Sequence, residues 1–293
     1  MNKKNCIITG ANAGIGKSAA VQIMRKGYHV VLACRNQERA QKAQTEINQL
    51  AGTESSEIML VDMSLQSSIR EFAKVYQSRY SSLDVLIHNA ADFDVTKKEP
   101  RFTEEGVESI WATNHVGPVL LTDLLMEQLK SSEQGRIITI SSKGLIVYPN
   151  LMVDLDDPEF RSRKFSVSKA YYQSKLAQVM FTYWLADNLN STPVTANCIR
   201  VTNVKIDIEN RYPDASRLNK FLYRIKSSFS ISPEEMAETY TFLATSPKMS
   251  ETSGKYFDDP DTTVDSNSYS KDRYNIKQLM DVTNSYINSE SLE

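Results

Sequence analysis

The feature that most constrains this chain is the way it opens. A short β-rich run, Cys6-Ile-Ile-Thr9, leads into Gly10-Ala-Asn-Ala-Gly14-Ile-Gly16, and a helical pattern follows over 17–26. Strand, glycine-rich turn and helix in that order bring backbone N–H groups and a helix N-terminus up to an anion such as a phosphate. The spacing is Gly-x-x-x-Gly-x-Gly, and residues without a Cβ let the backbone turn tightly and approach a pyrophosphate. The bland alternative is a strand-to-helix turn with no ligand, so the rest of the chain has to decide.

The alternation continues. Apolar runs at 28–34, 57–63, 83–88, 135–142 and 194–199 read as strands, and helical periodicity fills 37–50, 66–80, 104–130 and a segment around Tyr171 that runs to about Asn190. Strands alternating with helices predict a parallel sheet covered on both faces. Further on, Ser232 as N-cap and Pro233 at the first helical position open a helix to Ala244. Ser253–Phe257 reads as a seventh strand, 258–270 as a loop and 274–287 as a terminal helix. The expected architecture is α/β: a single domain over 1–293 with a doubly wound parallel sheet of about seven strands, a nucleotide-holding half over about 1–140 and a catalytic half over about 141–293.

Composition removes several functional classes. The 34 basic and 36 acidic side chains leave a formal charge of −2, so no electropositive surface for nucleic acid is implied. The cysteines Cys6, Cys34 and Cys198 lie far apart inside apolar runs, which predicts buried thiols in a reducing compartment, with neither disulfide framework nor metal cluster. The apolar run from Cys6 stops at Gly10, too short for a signal peptide, and no run approaches the roughly 18–20 apolar residues that cross a bilayer. A soluble, cytoplasmic protein without a membrane span is expected.

In an open α/β sheet, ligands bind beyond the C-terminal ends of the strands. The glycine turn, Arg35-Asn36, Asp62, Asn89 and Ser142 all lie at such ends. A guanidinium at the end of the second strand suits a ribose 2′-phosphate, which favours NADP(H) over NAD(H); the alternative is a solvated arginine opening the next helix. Tyr171 and Lys175 stand four residues apart, on one helical face. An ammonium near a phenol favours the phenolate, making Tyr171 a proton donor and acceptor near neutral pH. By itself Tyr-x-x-x-Lys is a weak signal, far more often met as a surface tyrosine beside a solvated lysine. Tyr172 has no lysine four residues on, and one residue of helical rotation, about 100°, turns it away. The connection 143–167 is too long for a routine strand-to-helix loop and reads as a lid or substrate wall. Tyr212, Phe221, Tyr223 and Phe229, within 205–230, fit an apolar pocket or ordinary core packing equally well.

Taken together, Thr9-Gly10-Ala-Asn-Ala-Gly14-Ile-Gly16, Asp62, Asn89-Ala90-Ala91, Asn114, Ser141-Ser142 and Tyr171-x-x-x-Lys175 resemble the short-chain dehydrogenase/reductase family in order and nearly in spacing. Val-Leu-Ala-Cys-Arg35-Asn36, Asp154-Leu155, Ala170-Tyr-Tyr-Gln-Ser-Lys-Leu-Ala177 and Ser253-Gly-Lys-Tyr-Phe257 are similar to the branch of retinol dehydrogenases and WW-domain oxidoreductases. The resemblance implies a Rossmann fold and hydride transfer between NADP(H) and a small-molecule carbonyl or alcohol, with no metal. It implies a catalytic set of Asn114, Ser142, Tyr171 and Lys175. Tyr171 would move the proton, Lys175 would hold the nicotinamide ribose and lower the tyrosine's pKa, Ser142 would bind the reacting oxygen, and Asn114 would hold a water joining the lysine to solvent. Cofactor contacts are implied at Gly10, Asn12, Gly14, Ile15, Gly16, Arg35, Asn36, Asp62, Met63, Asn89, Ala90 and Ala91, together with Tyr171 and Lys175. Many relatives dimerise through two long helices, so a homodimer is one assembly open to this chain, and the oligomeric state is left open by the sequence. The chain departs from the family at Arg200-Val-Thr-Asn-Val-Lys-Ile206, where Pro-Gly and a phosphate-binding threonine are usual. That departure keeps open an alternative: a dinucleotide-binding regulatory protein with weak or no catalysis.

Overall fold

A computed structural model describes residues 3–205 and 230–288. Its centre is β1 (Asn5–Thr9), which pairs in parallel with β2 (His29–Cys34) on one side and β4 (Val85–His88) on the other. The sheet order is β3-β2-β1-β4-β5-β6-β7-β8, with β3 (Ser56–Leu60), β5 (Arg136–Ser142), β6 (Thr195–Val201), β7 (Lys255–Asp259) and β8 (Thr262–Thr263). Seven strands run parallel and β8 returns antiparallel along β7. Strand order reverses between β1 and β4, and a doubly wound sheet offers its ligand crevice there.

Because successive strand residues face opposite ways, each apolar strand feeds two cores. Ile8, Leu32, Ile87 and Ile138 pack with Ile23 of α1 (Gly14–Arg25), Ile47 of α2 (Gln37–Ala51) and Tyr240 of α8 (Pro233–Thr245). Their neighbours Ile7, Val31, Leu86 and Ile137 pack with Phe72 of α3 (Gln66–Arg79), Leu120 of α5 (Gly117–Leu124), Met180 of α7 (Val167–Asn188) and Leu279 of α10 (Arg273–Asn288). Local chemistry sets the ends of these helices. Asn36 caps α2 by accepting from the Arg39 N–H, and Gly52, in the left-handed conformation, stops it. Ser232 and Glu235 close a capping box on α8.

The helix expected over 104–130 is shorter and broken. It starts with α4 (Ser109–Trp111), passes through a π turn over Ala112–Val116 into α5, and breaks at Leu125 before α6 (Met126–Lys130). Gly106, at φ 78°, turns the preceding chain back on itself, and the Glu108 carboxylate caps the helix by accepting from the Ile110 and Trp111 N–H groups. The loop expected over 258–270 holds β8 and a helical turn, α9 (Ser268–Lys271). Strand β3 ends at Leu60, so Asp62 and Met63 lie in the connection to α3. Ile206, Tyr212, Phe221, Tyr223 and Phe229 lie outside the described residues.

Candidate active site

The phosphate end of the crevice is built from close backbone approaches. Gly10 has φ 67°, and a Cβ there would come within 3.0 Å of the Ala90 Cα. A Cβ on Gly16 would lie 2.5 Å from Asn89 Nδ2. That amide donates to the Thr9 and Gly10 carbonyls at 2.9 and 3.2 Å, while its oxygen accepts from the Tyr240 hydroxyl at 3.2 Å. Asn89 therefore ties the ends of β1 and β4 together beneath the turn, and Ala90 N–H donates to Thr9 Oγ1 at 3.0 Å. Above the turn there is space: Gly14, at φ 54°, has nothing within 4 Å of the Cβ it lacks. No side chain caps α1, since Ala13 stands at its N-cap. The first-turn N–H groups are thus left for an anion, and a dinucleotide's pyrophosphate fits this cradle.

Asn12 and Ile15 are half-buried along the turn, and Met63 is buried in the opposite core, its carbonyl against Gly117. Arg35, with 77% of its side chain exposed at the end of β2, reaches Asp62 at 3.5 Å. The Asn36 oxygen is committed to its cap. Among the described residues Phe160 alone of the non-glycines has a positive φ, so Ala91 sits in ordinary backbone, as its replacement of the usual glycine requires. In the departing segment, Val201 ends β6 and Val204 forms a parallel bridge to Ile231, held by Lys205 N–H to the Ile231 carbonyl at 2.9 Å.

The chemical end is assembled by β5, the π turn and α7. Ser141 and Ser142 point to opposite faces of the strand. Ser141 is buried; it donates to the Lys175 carbonyl at 3.0 Å and accepts from the Tyr256 hydroxyl at 3.2 Å. Ser142 is half-buried at the strand end, and its Oγ accepts from the Gly144 N–H at 3.2 Å, which leaves its own proton to donate. Lys175 is buried and donates to the Ile140 carbonyl at 3.0 Å, with its ammonium 5.6 Å from the centre of the Tyr171 ring. Burial pulls that ammonium down to about 8. Tyr171 carries Phe93 stacked on its ring, with centroids 4.1 Å apart.

Asn114 does not face solvent, the usual fate of an asparagine in a helix; it is buried in the π turn. Its Oδ1 accepts from Asp92 N–H at 2.7 Å, and its Nδ2 donates to the Asp92 carbonyl at 3.1 Å and to Ser174 Oγ at 3.0 Å. Ser174 in turn donates to the Tyr171 carbonyl at 2.7 Å. Both Asn114 amide hydrogens are engaged, so a water on this side chain would have to use the second lone pair of Oδ1. Tyr172 is not turned away as the helical rotation predicts: its ring meets the Tyr171 ring edge-on at 5.3 Å, packs on Tyr148 and sets its hydroxyl end over Gly144.

Sequence reasoning missed Asp92, Phe93 and Ser174 in these contacts. Ser174 could have been found from its place one residue before Lys175, but Phe93 carries no sequence signal. The three cysteines are buried, with burial pushing the Cys34 thiol up to about 11 and Cys198 to about 12. Among the described residues no group of three or more His, Cys, Asp or Glu could hold a metal, and no helix is long and apolar enough to cross a membrane.

An open parallel sheet with a glycine cradle at its reversal point, and a tyrosine–lysine pair on α7 beside β5, is the arrangement of a dinucleotide-dependent oxidoreductase type. The short chain dehydrogenase family pattern matches residues 4–152. Human retinol dehydrogenase 13 is 35% identical over 257 residues, covering 87% of this chain and 76% of the relative. Human retinol dehydrogenase 14 is 35% identical over 273 residues, covering 88% and 79%. The chain belongs to the short-chain dehydrogenase/reductase family, in its retinol dehydrogenase-like branch. A solved structure of an uncharacterized protein from Mycobacterium paratuberculosis superposes with a TM-score of 0.74 at 25% identity, covering 97% of this chain and 93% of that one. A Shigella flexneri short chain dehydrogenase complexed with NADP shares the fold at a TM-score of 0.64 and 21% identity, covering 88% of this chain and 97% of that one.

Proposed function

We propose that this protein is an NADP(H)-dependent oxidoreductase acting on the carbonyl or alcohol of an apolar small molecule, with Ser142, Tyr171, Lys175 and Asn114 as its site. The observation that carries the reading is the buried Lys175 ammonium beside the Tyr171 ring on α7, donating to the Ile140 carbonyl of β5. The nicotinamide, when bound, supplies or accepts the hydride; position and the proton come from the protein.

In the reducing direction the Tyr171 phenol gives its proton to the oxygen of the carbonyl. The Ser142 hydroxyl donates to the same oxygen, with the proton that is left while its Oγ accepts from the Gly144 N–H. Lys175 spends one proton on the Ile140 carbonyl, which leaves two that would serve the phenol and a ribose hydroxyl of the bound cofactor. While charged, it stabilises the phenolate left behind. In the oxidising direction the same phenolate accepts the alcohol proton. Gly10, Asn12, Gly14, Ile15 and Gly16 would hold the pyrophosphate, Asp62, Met63, Asn89, Ala90 and Ala91 would border the adenosine side, and Arg35 with the Asn36 backbone would meet the 2′-phosphate. The relative solved with NADP has the same fold, which is compatible with this preference. A thermal-shift titration tests it: NADPH should raise Tm at lower concentration than NADH. Equal midpoints for the two would remove the 2′-phosphate assignment.

A further inference from the structure

The loop after β4 holds the Tyr171 ring through a latch of its own. Asp92 and Phe93 are neighbours in this loop and do different things. The Asp92 backbone takes up both ends of the Asn114 amide, at 2.7 and 3.1 Å. Phe93 lies flat on the Tyr171 ring, with an interplanar angle of 23°. What fixes the dipeptide is the Asp92 carboxylate. It accepts from Lys97 Nζ at 2.5 Å and from Ser109 Oγ at 2.9 Å, and Lys97 also donates to Ser109 at 2.9 Å.

The turn that folds Lys97 back is tied by Asp94, whose carboxylate accepts from Thr96 N–H and Oγ–H, and whose carbonyl accepts from Lys97 N–H. The Lys97 side chain is only 6% exposed. A nearly buried ammonium with its carboxylate removed is strongly unfavourable, so the pair locks the loop rather than decorating it. The neighbouring carboxylate, Glu108, is committed to capping α4.

We propose that Asp92, held by Lys97 and Ser109, is a positioning residue that keeps Phe93 on one face of the Tyr171 ring and the Asn114–Ser174 hydrogen bonds beneath its backbone. One face of the phenol is thereby closed, and the ring's freedom to tilt away from an incoming oxygen is removed. The proposal rests on the assignment of Tyr171 as proton donor for its kinetic consequence, but its structural content stands apart from turnover.

The test uses full-length protein with 13C-labelled tyrosine, the Tyr171 ring resonance being identified by its loss in Tyr171→Phe. Phe93→Leu supplies the resonance position without the stacked ring. Asp92→Asn, Lys97→Met and the milder Ser109→Ala should each move the Tyr171 resonance toward that position. With a turned-over carbonyl they should lower kcat roughly tenfold while the NADPH KM holds, a size typical of lost alignment. A Tyr171 resonance unchanged from wild type in folded Ser109→Ala and Asp92→Asn would overturn the latch. Wild-type protein without turnover would count against the proposed function alone, since the resonances decide the latch without it.

Discussion

At the scale of single residues, Arg35 is the side chain with the most specific assignment and the least structural duty. Its pairing with Asp62 is 3.5 Å long and largely in solvent, so it adds little to stability. Arg35→Ala should therefore leave Tm within about a degree while raising the NADPH Kd roughly tenfold and leaving the NADH Kd unchanged. Fluorescence titrations with both cofactors check this; an equal loss for both would mean that the guanidinium does not meet the 2′-phosphate. Residue placement was legible where it rests on local spacing. The four-residue step from Tyr171 to Lys175 lies within one helix, and the alternation along β5 separates Ser142 from Ser141. Phe93 on Tyr171 and Asp92 on Asn114 are contacts between segments distant in the chain, which no local periodicity encodes.

At the scale of elements, the helical 3-10 turn over Lys143–Val147 presents Ser142 and is held from two sides. Lys143 and Arg200 share the Asp258 carboxylate, which joins the ends of β5, β6 and β7. From the other side Tyr172 sits so close over Gly144 that a Cβ would overlap its hydroxyl end. Gly144→Ala should cost about 1–3 kcal/mol through overpacking and should lower kcat by displacing the turn under Ser142. Adding Tyr172→Leu should return part of both losses. Thermal melts and initial rates of the single and double variants measure this, and a Gly144→Ala protein equal to wild type in both would refute the packing argument. Element boundaries were legible where a cap or a glycine marks them, as at Asn36 and Gly52. They were lost in the 104–130 segment, because the apolar periodicity runs on through a π turn that adds a residue without a chemical signature. The two-residue β8 was hidden by the polar sequence around it.

At the scale of the molecule, two buried histidines and the last helix set expectations. His88 and His115 donate from Nε2 to Thr122 and Thr283, whose own hydroxyl protons go to helix carbonyls. Burial lowers both imidazoles to about 3. The unfolded chain binds their protons below about 6.5 and the native state does not, so stability falls as pH drops from about 6.5 toward 3. The slope is about 1.4 kcal/mol per pH unit for each histidine. Denaturant melts at pH 7 and 5.5 should show that loss, and His88→Gln should remove about half of it; an unchanged slope in the variant would contradict the burial argument.

Helix α10 lays Ile276, Leu279, Met280 and Ile287 into the core that includes α7, and Thr283 meets His115 of the π turn. It covers surface of the two segments through which related chains are expected to dimerise. Sedimentation should accordingly show a monomer at micromolar concentration, and a dimer would require another face. The sheet and its two cores were readable from the alternation of apolar runs, because period-two strands between amphipathic helices leave few other packings. The identity of the substrate was not, since the aromatics Tyr212, Phe221, Tyr223 and Phe229 fit an apolar pocket and core packing equally well by sequence.

The central claim is that Tyr171 moves the proton for a carbonyl reduced at the end of β5. The direct measurement compares wild type and Tyr171→Phe for NADPH binding and for NADPH oxidation across a panel of apolar ketones and aldehydes. The account predicts equal binding, turnover by wild type, and a rate at least a hundredfold lower in the variant, about the size of a lost general acid. Equal rates in the two proteins, or NADPH binding with no turnover by wild type, would contradict it.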